Sequence, residues 1–451
     1  MLRVIIDRVN PASEQLYRSH LDALAPRWAA ALEAENLDAV LVSAGAPRNY
    51  LFDDHAPFFR PNPHFALWFP QERCEHAILL IAPAKRPRLF YLQPDDYWHL
   101  PQQAPEWAGG CFELSVYSDP DDLRDAARAA AAELGSSACI GDDPAFDNCP
   151  ANPPKLIDRL HYQRACKTEF EIDCIRRATE AGVSGHLAAR DAFFSGASEL
   201  EILRAFLAAS GQTEGDLPYP CIIAQNEHAA TLHYQYYDRT APVSRHSFLI
   251  DAGARWRGYA SDITRTYTAT PGDVFSDLID ALDAAQRQLI DTIRPDIGYL
   301  DLHVDMHRRL CSLLAEFGLV RCTAEAAFEL GISKTFLPHG LGHLLGLQVH
   351  DVGGHQAGPG GELSPPPSDY PTLRLTRITA PGMVFTIEPG LYLIPMLLDE
   401  LRAGDAASEV DWPAVEALAP CGGIRIEDNV LVTGTGSRNF TREAFAAAGV
   451  S

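Results

Sequence analysis

An α/β domain followed by an α+β domain is the architecture this sequence predicts, and three observations carry it. Between Leu16 and Gly141 short apolar runs alternate with helical patterns, as strands and their covering helices do. Pro150, Pro153 and Pro154 then interrupt the chain. Beyond them a long helical stretch gives way to glycine-marked, strand-like segments that carry acidic residues.

The elements follow in order. A helix is expected over 13–37, where Leu16, Leu21, Leu24, Trp28 and Leu32 recur on one stripe. Ala39 to Val42, Ala77 to Ala82 and Arg88 to Leu92 read as strands. Asp121 to Leu134 is an alanine-rich helix, and Ala138 to Gly141 a further short strand. The prolines set the domains at 1–155 and 156–451. From Leu156 to Ala208, from Pro271 to Arg294 and from Leu300 to Phe317 the pattern is helical. Gly353 to Pro371, with its Pro365–Pro367 run, reads as an irregular loop.

Composition excludes several function classes. A chain of 451 residues can bury two sizeable cores. A formal charge of −23 opposes nucleic-acid or anionic-membrane partners, which need basic patches. The apolar runs are too short to span a bilayer, and MLRVIIDRVNPASEQ lacks a basic-then-apolar signal pattern. Ten scattered cysteines without a CxxC pair read as reduced residues of a cytoplasmic protein.

Five residues carry the chemistry: Asp251, Asp262, His343, Glu388 and Glu427. They sit in LIDAGARWRGYASDITRTY, LPHGLGHLLGLQVHDVGG, VFTIEPGLY and GGIRIEDNVLV. Acids inside apolar strand patterns are costly to bury unless something neutralises them. Two divalent cations match four carboxylates. The oxygen-rich donor set favours Mn²⁺, with Co²⁺ or Zn²⁺ as alternatives. A hairpin turn centred on Trp256 and Arg257 would set Asp251 directly opposite Asp262, with Cβ atoms about 5 Å apart. Alternation over 424–430 puts Arg425 and Glu427 on one face and Ile424 and Ile426 on the other.

Taken in this order, and with FRPNPHFALWFP, NEHAATLHY and the run from Pro381 to Asn429, these segments resemble the pita-bread metallopeptidases. Within them the likeness is to the bacterial Xaa-Pro dipeptidases, or prolidases, and it covers nearly the whole chain. It implies a creatinase-like α/β N-terminal domain and an α+β pita-bread catalytic domain. It implies two divalent ions, with Asp262 and Glu427 bridging, Asp251 on one ion, and His343 and Glu388 on the other. A water shared by such ions has its pKa lowered toward ~7, which suits amide hydrolysis. Glu388 would also be the general base. His339 and His350 would stabilise the oxyanion, against the plainer reading of histidines satisfied by backbone carbonyls.

His233 and Tyr219 match pocket-lining positions of the family, although aromatic residues there could equally be core. His355 stands where an apolar residue is expected. Arg425 is either a fork for the substrate carboxylate or an ion-pair partner of a ligand, and the two roles are compatible. The preference for proline comes from the resemblance alone, as does a side activity on organophosphorus esters. So does a homodimer in which Asp54, in NYLFDDHAPFF, reaches the partner's pocket and meets the substrate's α-amine; a solvated turn is the plainer reading of that Asp53–Asp54 pair. Two other functions fit the same motifs: an aminopeptidase on longer Xaa-Pro peptides, and a non-catalytic peptide-binding protein on the same fold. The second is opposed by the presence of all five ligand residues.

Overall fold

Five strands of the N-terminal half form one mixed sheet in the computed structural model, which describes residues 11–100, 102–142 and 149–450. The first ten residues, part of the stretch read above for a signal pattern, lie outside them. The chain divides into two compact units. One comprises Met1–Arg164, Thr168–Glu171 and Gly358–Glu362, and the other Ala165–Lys167, Ile172–Ala357 and Leu363–Ser451.

In the first unit the sheet order is β4-β3-β2-β1-β5. The strands are β1 (Ala39–Ser43), β2 (Ile78–Ile81), β3 (Arg88–Leu92), β4 (Glu113–Tyr117) and β5 (Ser137–Ile140). Its helices are α1 (Pro11–Ala34), α2 (Pro63–Trp68), α3 (Ala108–Cys111), α4 (Pro120–Ala132) and α5 (Pro154–Arg164). Leu123, Ala127, Ala130 and Ala131 of α4 pack on Leu41, Ile78, Leu80 and Phe90 of the sheet. On α1 the inner stripe differs from the expected one. Leu24, Trp28 and Leu32 are buried, but Tyr17 and His20 take the places expected of Leu16 and Leu21, which are half-buried. The Tyr17 hydroxyl donates to Trp68 O and His20 Nε2 to Leu67 O, so both polar tips are satisfied inside. Strand β4 was not expected, because its half-exposed edge position asks for no apolar run. Pairing is antiparallel from β1 through β3 and parallel for β3–β4 and β1–β5. The loops after β1 and β3 therefore leave from the same end of the sheet.

The second unit mixes helices with short antiparallel ladders. Its helices are α6 (Glu169–Phe194, whose first turn belongs with the first unit), α7 (Glu199–Ser210), α8 (Val274–Ile290), α9 (Tyr299–Glu316), α10 (Ala324–Glu329), α11 (Ile332–Phe336), α12 (Pro395–Ala403), α13 (Trp412–Leu418) and α14 (Phe440–Ala447). Strands β6 (Ile222–Gln225), β7 (Ser247–Asp251) and β10 (Thr264–Thr268) form one sheet, and β8 (Arg255–Trp256) with β9 (Tyr259–Ala260) closes the hairpin between β7 and β10. Strands β11 (Val384–Ile387), β14 (Asp428–Val432) and β15 (Ser437–Asn439) form another, beside the pair β12 (Gly390–Tyr392) and β13 (Gly423–Arg425). Leu282, Leu289, Met306, Leu310, Phe385, Ile387, Ile424 and Ile426 share its main core. The strand expected over 424–430 is thus two strands, because Arg425 and Asp428 pair with different neighbours. Residues 353–371 hold no helix or strand, as the loop reading expected. No described helix is long and apolar enough to cross a membrane.

Candidate metal centre

The first two acids come from the β7–β10 hairpin. Its register pairs Asp251 with Thr264, and Arg255 with Ala260. The turn therefore lies at Arg257–Gly258, where φ is 51° and 84°, the double left-handed form that suits a two-residue hairpin. The expected turn at Trp256–Arg257 is corrected by this, and Asp262 sits diagonal to Asp251, not opposite it. Both still face the same side. A Cβ on Gly253 would meet Ser261 O at 2.0 Å, so the two strands of the hairpin approach closely only because that residue is glycine.

Tyr219 lies between these acids. Its hydroxyl is 2.8 Å from Asp251 Oδ1 and also contacts Asp262 Oδ1. One proton cannot fully serve two carboxylates. Burial, then the Asp251 charge, hold the Tyr219 phenol well above its ordinary range.

His343 follows Gly342, whose Cβ would meet Thr386 O at 2.1 Å, so the loop lies hard against β11. His343 N donates to Thr386 Oγ1 at 3.1 Å. Its Nδ1 donates to Leu344 O at 3.0 Å, which turns Nε2 toward the acids. Nε2 is 3.3 Å from Asp262 Oδ2 and 3.6 Å from Glu388 Oε1. Glu427 Oε2 accepts from Thr264 Oγ1 at 2.8 Å, and Glu427 N donates to Thr264 O at 3.0 Å. Ligand atoms of Asp262, His343 and Glu427 all lie within 4.8 Å of one another.

This donor set fits divalent ions. Asp262, Glu388 and Glu427 are buried and crowded, which raises the proton affinity of these three carboxylates. Burial, with Asp262, Glu388 and Asp251 as neighbours, pushes Glu427 well up. Burial raises Asp262. Burial, against the pull of His343, pushes Glu388 up to about 7. Burial alone would lower His343, but its bond to Asp262 and the Glu388 charge leave it raised. A cation among these oxygens would relieve all of them.

His339 and His350, beside this cluster, are neutral at pH 7. Burial, then Arg425, lower His339 to about 4. Burial, then His343, lower His350 to about 3. The His343 and His350 rings lie edge to face, 4.4 Å apart. His339 Nδ1 donates to Gly340 O at 2.8 Å and stands 3.8 Å from Glu388 Oε2, while its Nε2 is 2.8 Å from the Tyr392 hydroxyl. His233 is exposed, near enough for its charge to disfavour protonation of His350. His355 is half-buried, with Nε2 on Leu373 O at 2.9 Å.

Arg425 makes the ion pair expected of it. Its Nη2 pairs with Asp251 Oδ2 at 2.7 Å, its Nη1 donates to the Tyr392 hydroxyl at 3.0 Å, and its Nε to Thr264 Oγ1 at 3.2 Å. Every guanidinium nitrogen has an internal partner. Asp54 belongs to the other unit, in the exposed loop after β1.

Several residues here carried no signal in the sequence. Tyr392 links His339 to Arg425 and is wholly buried. Lys167 Nζ pairs with Asp351 Oδ2 at 2.7 Å, both side chains 1% exposed, directly after His350. Glu199 gathers Gln225 N, His228 Nδ1, the Tyr234 hydroxyl and Asp238 N within 2.7–2.9 Å and so fixes the segment bearing His233. Glu199, His228 and Asp238 are also close enough to hold a metal, but these four donors already satisfy the Glu199 carboxylate.

Residues 173–434 match the model of metallopeptidase family M24, and residues 15–162 match that of the Xaa-Pro dipeptidase N-terminal domain. The chain belongs to metallopeptidase family M24. Within the family it groups with the prolidases. A Xaa-Pro dipeptidase of Xanthomonas campestris pv. campestris is 45% identical over 443 residues, 97% of this chain and 99% of that one. One from Stenotrophomonas maltophilia is 43% identical, covering 96% and 98%. Among solved structures, Pseudomonas aeruginosa aminopeptidase PepP superposes with a TM-score of 0.72 at 23% identity, covering 95% of this chain and 98% of its own. Aminopeptidase P from E. coli with the inhibitor Pro-Leu gives 0.71 at 22%, covering 96% and 95%. At that identity the likeness shows the fold, an α/β domain and the family's α+β pita-bread domain.

Proposed function

We propose that this M24 enzyme hydrolyses Xaa-Pro dipeptides at a two-ion centre held by Asp251, Asp262, His343, Glu388 and Glu427. The observation that carries the reading is the convergence of Asp262, His343 and Glu427 within 4.8 Å. It occurs in a chain 45% identical, almost end to end, to a Xaa-Pro dipeptidase. Asp262 and Glu427 would be shared between the two ions, with Asp251 holding one and His343 and Glu388 the other. When bound, the ions supply a hydroxide at neutral pH and polarise the scissile carbonyl.

The remaining work falls to the chain. Glu388 takes a proton and passes it toward the leaving proline nitrogen. Neutral His350 can donate a hydrogen bond to a developing oxyanion. His339, tied to Tyr392, aligns beside Glu388, and His233 and Tyr219 border the substrate. Arg425 acts first by holding Asp251.

Mn²⁺ is the ion we favour, on the oxygen-rich donor set. We also infer a homodimer in which Asp54 meets the substrate's α-amine. Tyr50, Leu51, Phe52 and Phe58 around it are exposed, Phe52 at 99%, which suits a covered surface. None of the ten cysteines forms a disulfide, which fits a reducing cytoplasm.

Metal-depleted protein reconstituted with Mn²⁺, Co²⁺ or Zn²⁺ tests this. Ala-Pro should be cleaved and Ala-Pro-Ala should not, with about two ions per chain. Cleavage of the tripeptide would favour the second reading, an aminopeptidase, which the aminopeptidase P folds keep in view. Turnover of an organophosphorus ester in the same samples would reveal the side activity.

A further inference from the structure

Glu388 and Glu427 lie on adjoining antiparallel ladders that share one register, Ile387 with Asp428 and Gly390 with Arg425. Carried through, that register sets Glu388 opposite Glu427 and Pro389 opposite Ile426. Ile426 N donates to Pro389 O at 3.2 Å. The reciprocal bond cannot form, because proline has no N–H. A buried Ile426 carbonyl is left without its ladder donor between two carboxylates that repel each other.

Gln286 of α8 reaches this point. Its Nε2 donates to Ile426 O at 3.2 Å and to Ile387 O at 2.8 Å, so one amide joins the residues immediately before the two glutamates. Its Oε1 accepts from Arg442 Nη2 at 2.8 Å, which fixes which way the amide faces. Arg442, from α14, in turn holds Asp428 Oδ2 at 2.7 Å. Gln286 is wholly buried.

We propose that Gln286 is a positioning residue of the metal centre: its side-chain N–H replaces the one Pro389 lacks and fixes the spacing of Glu388 and Glu427. The proposal rests on the two-ion reading above. Residues that orient ligands commonly change metal affinity about 10–100-fold when lost.

The test is Mn²⁺ titration against a competing chelator, on the metal-depleted full chain, with circular dichroism to confirm the fold. Gln286→Leu should weaken Mn²⁺ binding by about 10–100-fold. Adding Pro389→Ala should recover part of that loss, because it returns a backbone N–H to the ladder. General destabilisation would give no such rescue. Should Gln286→Leu not fold, Gln286→Glu at pH 8 keeps the shape without the donor. Wild-type affinity in a folded variant, or loss of fold in both, overturns the proposal. Wild-type protein that binds no Mn²⁺ would instead overturn the two-ion reading itself.

Discussion

Arg425 Nη2 lies 2.7 Å from Asp251 Oδ2, and the two side chains are only 5% and 13% exposed. The pair joins Asp251, a candidate ligand on β7, to β13, and the other guanidinium nitrogens extend the link to Tyr392 and Thr264. A lysine keeps the charge but lacks the planar fork that spreads the guanidinium donors to these three partners. Arg425→Lys should lower kcat by about 10–100-fold. The loss should be equal on a free-acid dipeptide and on its C-terminal amide. A larger loss on the free acid, measured by steady-state kinetics, would show that Arg425 also grips the substrate carboxylate.

Metal affinity should fall with acid. In the metal-free fold Glu388 keeps a proton up to about pH 7, whereas its ordinary value is 4.5. An ion must displace that proton, so affinity should drop by up to about tenfold per unit below pH 7. The sign for folding is the reverse. A raised acid stabilises the metal-free fold fully below about 4.5 and loses that contribution as pH rises through about 7. Chelation should therefore lower Tm more at pH 8 than at pH 5.5, which differential scanning fluorimetry reads directly.

Tyr219→Phe should separate the two metal states. Removing the hydroxyl between Asp251 and Asp262 should destabilise the metal-free protein by about 1–3 kcal/mol. With ions bound, the acids no longer need that donor, and the change should shrink. Urea unfolding with and without chelator tests it.

Lys167 and Asp351 form a fully buried pair beside His350. Lys167→Met strands the aspartate and should cost about 3–5 kcal/mol. Lys167→Met with Asp351→Leu should cost less than the sum of the single changes, since the double change removes both charges of the pair together. An additive double mutant in chemical denaturation would mean that the pair is not coupled.

The acidic strands were legible because glycines and alternation mark them. Gly253 and Gly342 sit where strands meet at van der Waals limits, and the sequence shows both. The hairpin register was missed by one turn position, since Trp256–Arg257 and Arg257–Gly258 differ only in which residues take a left-handed conformation. Tyr392, Lys167 and Gln286 were not legible for a different reason. Each lies in an apolar or helical pattern that a core or surface residue would satisfy equally, and its partner is remote: Lys167 is 184 residues from Asp351 and Gln286 is 140 from Ile426. Local pattern has no access to such pairs.

The bond from Thr264 to Glu427 spans 163 residues, and that from Asp251 to Arg425 spans 174. At roughly 5–20 residues per second on the ribosome, about 8–35 s separate the emergence of the hairpin from that of its closing strand. During that interval the nascent chain presents two aspartates with neither Glu427 nor Arg425. Tyr219, made before them, is a partner they have from the start. The candidate metal centre is thus a late product of translation, and a ribosome stalled before residue 427 leaves the hairpin without Glu427, the partner of Thr264.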